Sequence, residues 1–470
     1  MITYIKINGF KSFHNFEMTF TPLTIIAGTN ASGKSNLFDA LKLLSKLAET
    51  DNIKKAFTRE QRGEFVELFT QYDEGKYAEE MSFVVEMLVN KTVRDAWGNS
   101  SSLKYTRLRY ELAIRRFTND FGLDDIEVIH ENLVNLKQKP NHKDKHLEDK
   151  WIHIIPKDQR EQWRPKVVTG KRGIPYINTT QENGILTVEV PQDGTTGNKR
   201  RFPLKNASRT VLSSFDTVDF PHVLAAKEEM KSWRFLQLNP EDLRKPTSKS
   251  TGNDQISESG ENLAAALNRI KTNNHFLLAE ITRKLQSFIP NFIDVMVFDD
   301  KENKQYLIKL LDKDKKEYTS RVLSEGTLRV LALCILEHDD LHTGLLCFEE
   351  PENGIHPARI DTMAALLKDL STDFSDESFP LRQVIVNTHS PFLVKRVEKW
   401  KNNPNVSIWF SQISNVCTES VSAKNKVKLS ISKILPVKKD NEQQLQIFYT
   451  DAEIKMTLTK LKEYLETTEN

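Results

Sequence analysis

The chain has 470 residues, 38% of them hydrophobic and 28% charged, a composition expected of a soluble globular protein of roughly two to four domains. Lys and Arg number 67 against 65 Asp and Glu, so overall charge selects no class of partner and any basic surface has to be local. Cys334, Cys347 and Cys417 have no paired spacing, which excludes a disulfide framework or a Cys-rich zinc module and fits a reducing cytoplasm; no run approaches the about 18 apolar residues of a membrane span, and MITYIKINGFKSF lacks the pattern of a signal peptide.

In chain order, the first segment with readable chemistry is FTPLTIIAGTNASGKSNLFDALKLLSKLA. Leu23, Ile25 and Ile26 predict a strand, and Leu37, Leu41, Leu44 and Leu47 mark one face of a helix. Between them Gly28, Gly33, Lys34 and Ser35 match G-x-x-x-x-G-K-[ST] in full. Glycines let such a loop wrap a phosphate with its N–H groups inward, and the helix N-terminus adds the positive end of a dipole. The expected ATP contacts are Asn30, Gly33, Lys34, Ser35 and Asn36, with Lys34 on the β- and γ-phosphates and the Ser35 hydroxyl on Mg²⁺.

The middle of the chain, from roughly 80 to 230, opens on two strand patterns, SFVVEMLV and TRLRYELAIRR, and continues as polar loops. Arg107, Arg109, Arg115 and Arg116 could form a basic strand face for nucleic acid; a solvated sheet face is the commoner account of such spacing. GNKRRFPLKNASR is a second, weaker basic stretch. His130, Asn141, His142 and His146 superficially suggest a nuclease or metal pair, but no strand-turn-helix frame surrounds them, and the reading taken here is a lysine-rich exposed loop.

Three further motifs lie downstream. In RVLSEGTLRVLALCILEHDD, Ser324, Glu325 and Gly326 precede a helix with Leu328, Leu331, Ile335 and Leu336 on one face, so that Ser-x-Gly offers a second anion site at a helix start. In GLLCFEEPENGIHP, Leu345 to Phe348 read as a strand buried on both faces that ends in two carboxylates, which is costly unless a cation meets them. With a phosphate loop present, the buried strand beside it is expected to end in an acidic residue that helps hold Mg²⁺. Glu349 takes that part, and Glu350, pointing elsewhere, orients and polarises the attacking water. In LRQVIVNTHSPFLV, the strand Val384 to Val386 leads to His389, placed to hydrogen-bond a γ-phosphate or its attacking water. The tail predicts a helix with Ile454, Leu458, Leu461 and Leu465 on one face, packing on the body or docking a partner.

The ordered set GTNASGKSN, LSEGT, LLCFEEPENGIHP and VNTHSP resembles the ABC-type ATPase heads of the structural-maintenance-of-chromosomes (SMC), RecF and OLD group, as Walker A, signature, Walker B with D-loop, and switch histidine. IKINGFKSF is similar to that group's first strand, which places Lys11 near the nucleotide, and WRFLQLNPEDLRKP with SESGENLAAALNRI is similar to a segment of its compact bacterial members. The resemblance implies an α/β P-loop NTPase fold of ABC head type, a mixed sheet flanked by helices with an α+β insertion and a C-terminal helix. The expected division is 1–80 with Walker A, an insertion at 81–230 that sets partner or nucleic-acid choice, 231–410 with the remaining motifs, and a tail at 411–470. It also implies a head-to-tail homodimer or higher homo-oligomer around ATP and Mg²⁺, with Ser324 on the partner's γ-phosphate and Glu352 to His356 at the seam.

The resemblance extends to the ATPases of bacterial anti-phage systems of the Septu, PARIS and retron-associated kinds, and implies a separate effector such as an HNH nuclease. The rival is a RecF-like repair ATPase that binds DNA itself; a transport ATPase is disfavoured because an LSGGQ signature and an aromatic residue before the phosphate loop are both missing. No heptads for long coiled-coil arms lie between Ser35 and Ser324, and no acidic triad for an OLD-type nuclease follows His389, although Asp440, Asp451 and Glu453 are present. The chain departs from the group in having Glu349 where the wider class has Asp and Glu325 where it has glycine, and Gln61 and Gln71 compete for the Q-loop position.

Overall fold

Leu23–Ala27, a β-branched and apolar pentapeptide, is buried at every position because it lies inside a six-stranded sheet. The order is Arg234–Leu236, Gly344–Glu349, Arg382–Thr388, Leu23–Ala27, Val406–Glu419, Lys426–Pro436. The first five strands are parallel and the last returns antiparallel, which makes the sheet mixed, as expected. The computed structural model describes residues 1–437 except 59–62, 74, 138–139, 141, 164–173, 183, 193–198, 206, 253, 376–380, 401 and 420–425, and adds 459 and 463–465.

One expectation about this sheet is corrected. The acidic strand Gly344–Glu349 does not neighbour the loop strand; Arg382–Thr388, which leads to His389, runs between them. Sequence adjacency carries no information about lateral order in a parallel sheet, whose crossovers are long. The consequence is that three strand ends meet side by side, with Glu349 level with Asn387 and Thr388 level with Ala27. Ligands of open α/β sheets bind at such carboxyl ends.

Strand alternation assigns the two faces. Ile26, Leu345, Cys347, Ile385 and Trp409 enter the core that also holds Leu37, Leu41, Leu44 and Leu47 of the helix Lys34–Glu49 and Val223 and Leu224 of the helix Pro221–Lys231. Ile25, Leu346, Phe348, Val384 and Val386 enter the opposite core, under the helices Leu263–Asn273, Phe276–Phe288, Glu325–Glu337 and Ile360–Asp369. Each fully buried Leu or Ile stabilises by about 1.5–3 kcal/mol relative to exposure, so both helical layers are held chiefly by this burial. The single apolar face read for Glu325–Glu337 proves too narrow: Val330, Ala332, Leu333 and Cys334 are buried as well as Leu328, Leu331, Ile335 and Leu336. Residues 330–336 run through the core and are apolar all round for that reason.

A second, antiparallel sheet has the order Asp124–Asn135, Arg107–Thr118, Glu80–Leu88, Ile2–Asn8, Phe16–Thr19. The boundary read at residue 80 falls on the first residue of Glu80–Leu88, whose neighbour Ile2–Asn8 comes from the beginning of the chain. The arginines on Arg107–Thr118 do not form a free basic face, because each is engaged by a partner, although Arg115 is solvent-exposed. Arg107 is buried, paired with Asp149 at 3.3 Å and lying 5.0 Å from the Trp151 ring centroid; Arg109 bridges Glu86 (3.0 Å) and Glu111 (2.7 Å). Arg115 meets Glu127 at 2.6 Å, and Arg116 donates to the carbonyls of Ala78 (2.9 Å) and Tyr77 (3.2 Å). In the second basic stretch, Lys199 and Arg201 both pair with Glu189.

Of the terminal helix positions, Ile454, Leu458 and Leu461 lie outside the described residues. Leu465 packs with Tyr464 against the core under the helix Glu325–Glu337, and Tyr464 sets its ring edge-on to Phe410 at 5.7 Å.

Candidate functional site

The phosphate loop is shaped from both ends of the chain. Gly33 has φ +90°, a left-handed conformation that glycine adopts without a steric penalty, and a Cβ there would overlap the Ser432 hydroxyl. Ser411 Oγ donates to the Ser32 carbonyl at 2.9 Å, so both strands of the C-terminal hairpin support the loop from behind. The Lys34 ammonium is buried and donates to the carbonyls of Gly28 and Thr29, both at 2.8 Å. Burial holds its pKa below the usual lysine value, with Glu350 and then Glu349 partly opposing the shift.

The remaining loop positions divide. Asn30 is exposed at the tip. Asn36 turns its amide to Ser12 Oγ at 2.7 Å, and Ser12 in turn meets Ser432 Oγ at 2.7 Å, so this side chain braces the helix start. Lys11 reaches Asp39, on the same helix, at 2.7 Å.

The adjacent glutamates separate by strand alternation. Glu349 continues the series Leu345, Cys347 and therefore lies on the face of the Lys34–Glu49 helix, where Ser35 sits in its first turn. Asn387, level with Glu349 across the strands, donates from Nδ2 to Ser35 Oγ at 3.3 Å. This donor set is all oxygen, the chemistry that suits Mg²⁺, and a buried acceptor, Asn387 Oδ1, has no partner among the described residues. The residues therefore fit a metal-bound nucleotide.

Glu350 leaves the strand with φ +52°. Its main-chain N–H donates to the Asn387 carbonyl at 2.8 Å, its Oε1 lies 2.6 Å from His389 Nδ1, and its Oε2 accepts from Asn353 Nδ2 at 2.7 Å. A carboxylate held between an imidazole and an amide is fixed in orientation. Glu352, further along the turn, is buried and accepts from the Thr388 hydroxyl.

Ser324 caps the helix Glu325–Glu337, accepting from the Thr327 N–H at 3.3 Å, and is exposed. The Glu325 carboxylate turns along the helix to Arg329 at 2.6 Å, which draws its charge away from the helix start. Gly326 lies against Gly354: a Cβ on Gly326 would overlap the Gly354 carbonyl oxygen. The start of this helix and the turn that follows Glu350 therefore touch within one chain.

Asn387, Ser411 and Ser432 belong to this neighbourhood and were not singled out from the sequence, whereas Glu352 and Gly354 were expected only at a dimer seam. Asn387 stood inside a quoted motif, and a polar residue near the end of a buried apolar run was its available signal. The hairpin serines carried none. Gln71 is exposed on the short strand Gln71–Asp73, and Gln61 lies outside the described residues. His130 is 3.5 Å from Glu111, Asn141 lies outside the described residues, and no group of three metal-ligating side chains occurs among those described.

A strand, glycine-shaped loop and helix carrying Lys34 and Ser35, facing an acidic strand end across a parallel sheet, define a P-loop ATPase. The chain belongs to the AAA ATPase domain family, whose model matches residues 1–394. No curated protein matches it. Among solved structures, it is similar to an SMC head bound to the C-winged helix domain of ScpA (12% identity, TM-score 0.46, 94% of this chain and 99% of that one). It is also similar to the SMC head domain from Thermotoga maritima (14%, 0.37, 93% and 99%) and to an Smc head with an extended coiled coil from Pyrococcus furiosus (11%, 0.40, 95% and 98%). No helix among the described residues is long and apolar enough to cross a membrane.

Proposed function

We propose that this ATPase works as an ABC-type head: it binds ATP with Mg²⁺ on Lys34, Ser35 and Glu349, and two copies close head-to-tail on the nucleotide. In this reading Ser324 and Gly326 of one copy cover the phosphate held by the other. Glu350 activates the attacking water and His389 holds Glu350 in place. The observation that carries the reading is the 2.6 Å contact between Glu350 and His389, which joins the acidic strand end to the switch histidine beside the loop lysine. The test is a pair of variants. Lys34→Ala should abolish ATP binding, whereas Glu350→Gln should keep it and lower turnover by about 10²–10⁴-fold, as loss of a general base does. A Glu350→Gln chain that loses binding instead would place Glu350, not Glu349, on the metal.

We infer further that ATP closure regulates a separate effector, a nuclease, in anti-phage defence; the similarity of WRFLQLNPEDLRKP and SESGENLAAALNRI to compact bacterial members of the group supports this by resemblance. The second reading is a DNA-binding repair ATPase of the SMC and RecF kind. The arginines of Arg107–Thr118 favour the first reading, because they are engaged within the fold. Purification from the native host with mass spectrometry and light scattering separates the two. A stoichiometric nuclease in a multi-subunit complex supports the effector reading, and a lone dimer that binds DNA only with ATP supports the repair reading.

A further inference from the structure

The strand between the loop strand and the acidic strand carries a polar residue to which the ATPase reading gives no task. Arg382–Thr388 is buried at every position, and Asn387, only 4% exposed, stands one residue before its end. Asparagine is a poor strand former, and a buried carboxamide is unfavourable unless both of its ends are bonded. Here one end is: Nδ2 holds Ser35 Oγ at 3.3 Å. The other, Oδ1, is buried without a partner among the described residues.

Its surroundings indicate what is missing. Alternation along the strand places Asn387 on the same face as Ile385, over the Lys34–Glu49 helix, and register sets it beside Glu349 on one side and Ile26 on the other. The two side chains read as metal-holding, Ser35 and Glu349, therefore flank the carboxamide. An acceptor between two hard oxygen ligands suits a donor that arrives with the cation, and Mg²⁺ keeps several of its waters when bound through one or two protein groups.

We propose that Asn387 is a positioning residue of the metal side. Its Nδ2 fixes the Ser35 hydroxyl so that a lone pair is free for the cation, and its Oδ1 accepts a hydrogen bond from a water in the cation's shell. The carboxamide sought at Gln61 or Gln71 is then supplied from the central sheet. The main chain of the same residue accepts from Glu350 N–H at 2.8 Å, so Asn387 also ties the metal side to the turn that presents Glu350. This proposal rests on the assignment of Ser35 and Glu349 to Mg²⁺.

The test compares ATP affinity of the full chain in Mg²⁺ and in EDTA, using a fluorescent ATP analogue at equilibrium, for the parent and for Asn387→Leu, which has similar bulk. Removing an outer partner of a metal ligand typically costs 10–100-fold in metal affinity. Asn387→Leu should therefore bind as the parent does in EDTA, bind about tenfold more weakly in Mg²⁺, and need about tenfold more Mg²⁺ for half-maximal binding. Asn387→Asp, which keeps an acceptor beside the cation, should recover most of the Mg²⁺ response. Unchanged Mg²⁺ dependence overturns the proposal, as does an equal loss in Mg²⁺ and EDTA, which packing alone explains. If Asn387→Leu fails to fold, Asn387→Ser, too short to reach Ser35, carries the same comparison with the same expected result. A parent that binds ATP equally in Mg²⁺ and EDTA overturns the metal-side assignment itself, and a Lys34→Ala chain that binds ATP normally overturns the nucleotide site.

Discussion

Glu350 and Glu352 occupy one turn and have opposite surroundings. Glu350 is half-buried and has its carboxylate oxygens on His389 and Asn353, whereas Glu352 is buried with one oxygen on the Thr388 hydroxyl and the other without a partner among the described residues. Burial raises the Glu352 pKa; the Thr388 hydrogen bond and His389 oppose the shift, and Glu350 adds to it. The folded chain then keeps this proton to a higher pH than the unfolded chain does. Stability from this group is full below the ordinary carboxylate pKa and is lost as pH rises through the raised value. Glu352→Gln retains a carbonyl for Thr388 and removes the charge, so it should raise Tm by about 1–3 °C at pH 8, with the gain fading towards pH 5. Thermal melts of parent and variant across that range test this, and a gain that grows as pH falls would reverse the assignment.

At the scale of elements, the contact between the start of the helix Glu325–Glu337 and the turn at Gly354 rests on two facing glycines. Alanine at Gly326 would be favoured by up to about 1 kcal/mol as a helix former. Its Cβ, however, would overlap the Gly354 carbonyl oxygen, a backbone atom that cannot rotate away as a side chain can. The clash wins, and the helix start moves off the turn at Gly354. Gly326→Ala should leave ATP affinity within about twofold and lower hydrolysis by about tenfold or more, because Ser324 is displaced while Lys34 is not. Nucleotide titration beside steady-state turnover checks both halves. This contact also marks where legibility from sequence ends. The loop, its helix and the buried strands were readable because each signal lies within about ten residues: glycine spacing, a 3.6-residue period, an apolar run. The approach of Gly326 to Gly354 and the support of Gly33 by Ser432 join segments far apart in sequence, and no local pattern encodes them.

Over the whole molecule, the same distinction decides what can fold alone. The expected division places one of its boundaries at residue 230, and the central sheet joins segments from both sides of it. Leu23–Ala27 has Arg382–Thr388 on one side and Val406–Glu419 on the other, so the strand leading into the phosphate loop has no sheet partner from the first half. The second half, in turn, has a gap at the middle of its sheet, with unpaired backbone N–H and C=O groups on two buried strands. Ser411 and Ser432, which shape the loop, belong to the half that lacks it. Residues 1–230 and 231–470 expressed separately should therefore be insoluble or only partly structured, and neither should bind ATP. Co-expressed, they should assemble and bind it, because the strand pairs and the serine contact that complete the sheet and the loop are made between the halves. Far-UV circular dichroism and ATP titration on each half and on the pair make the comparison. ATP binding by 1–230 alone would mean that the phosphate loop holds its shape without the C-terminal hairpin, against the contacts described at Gly33 and Ser32.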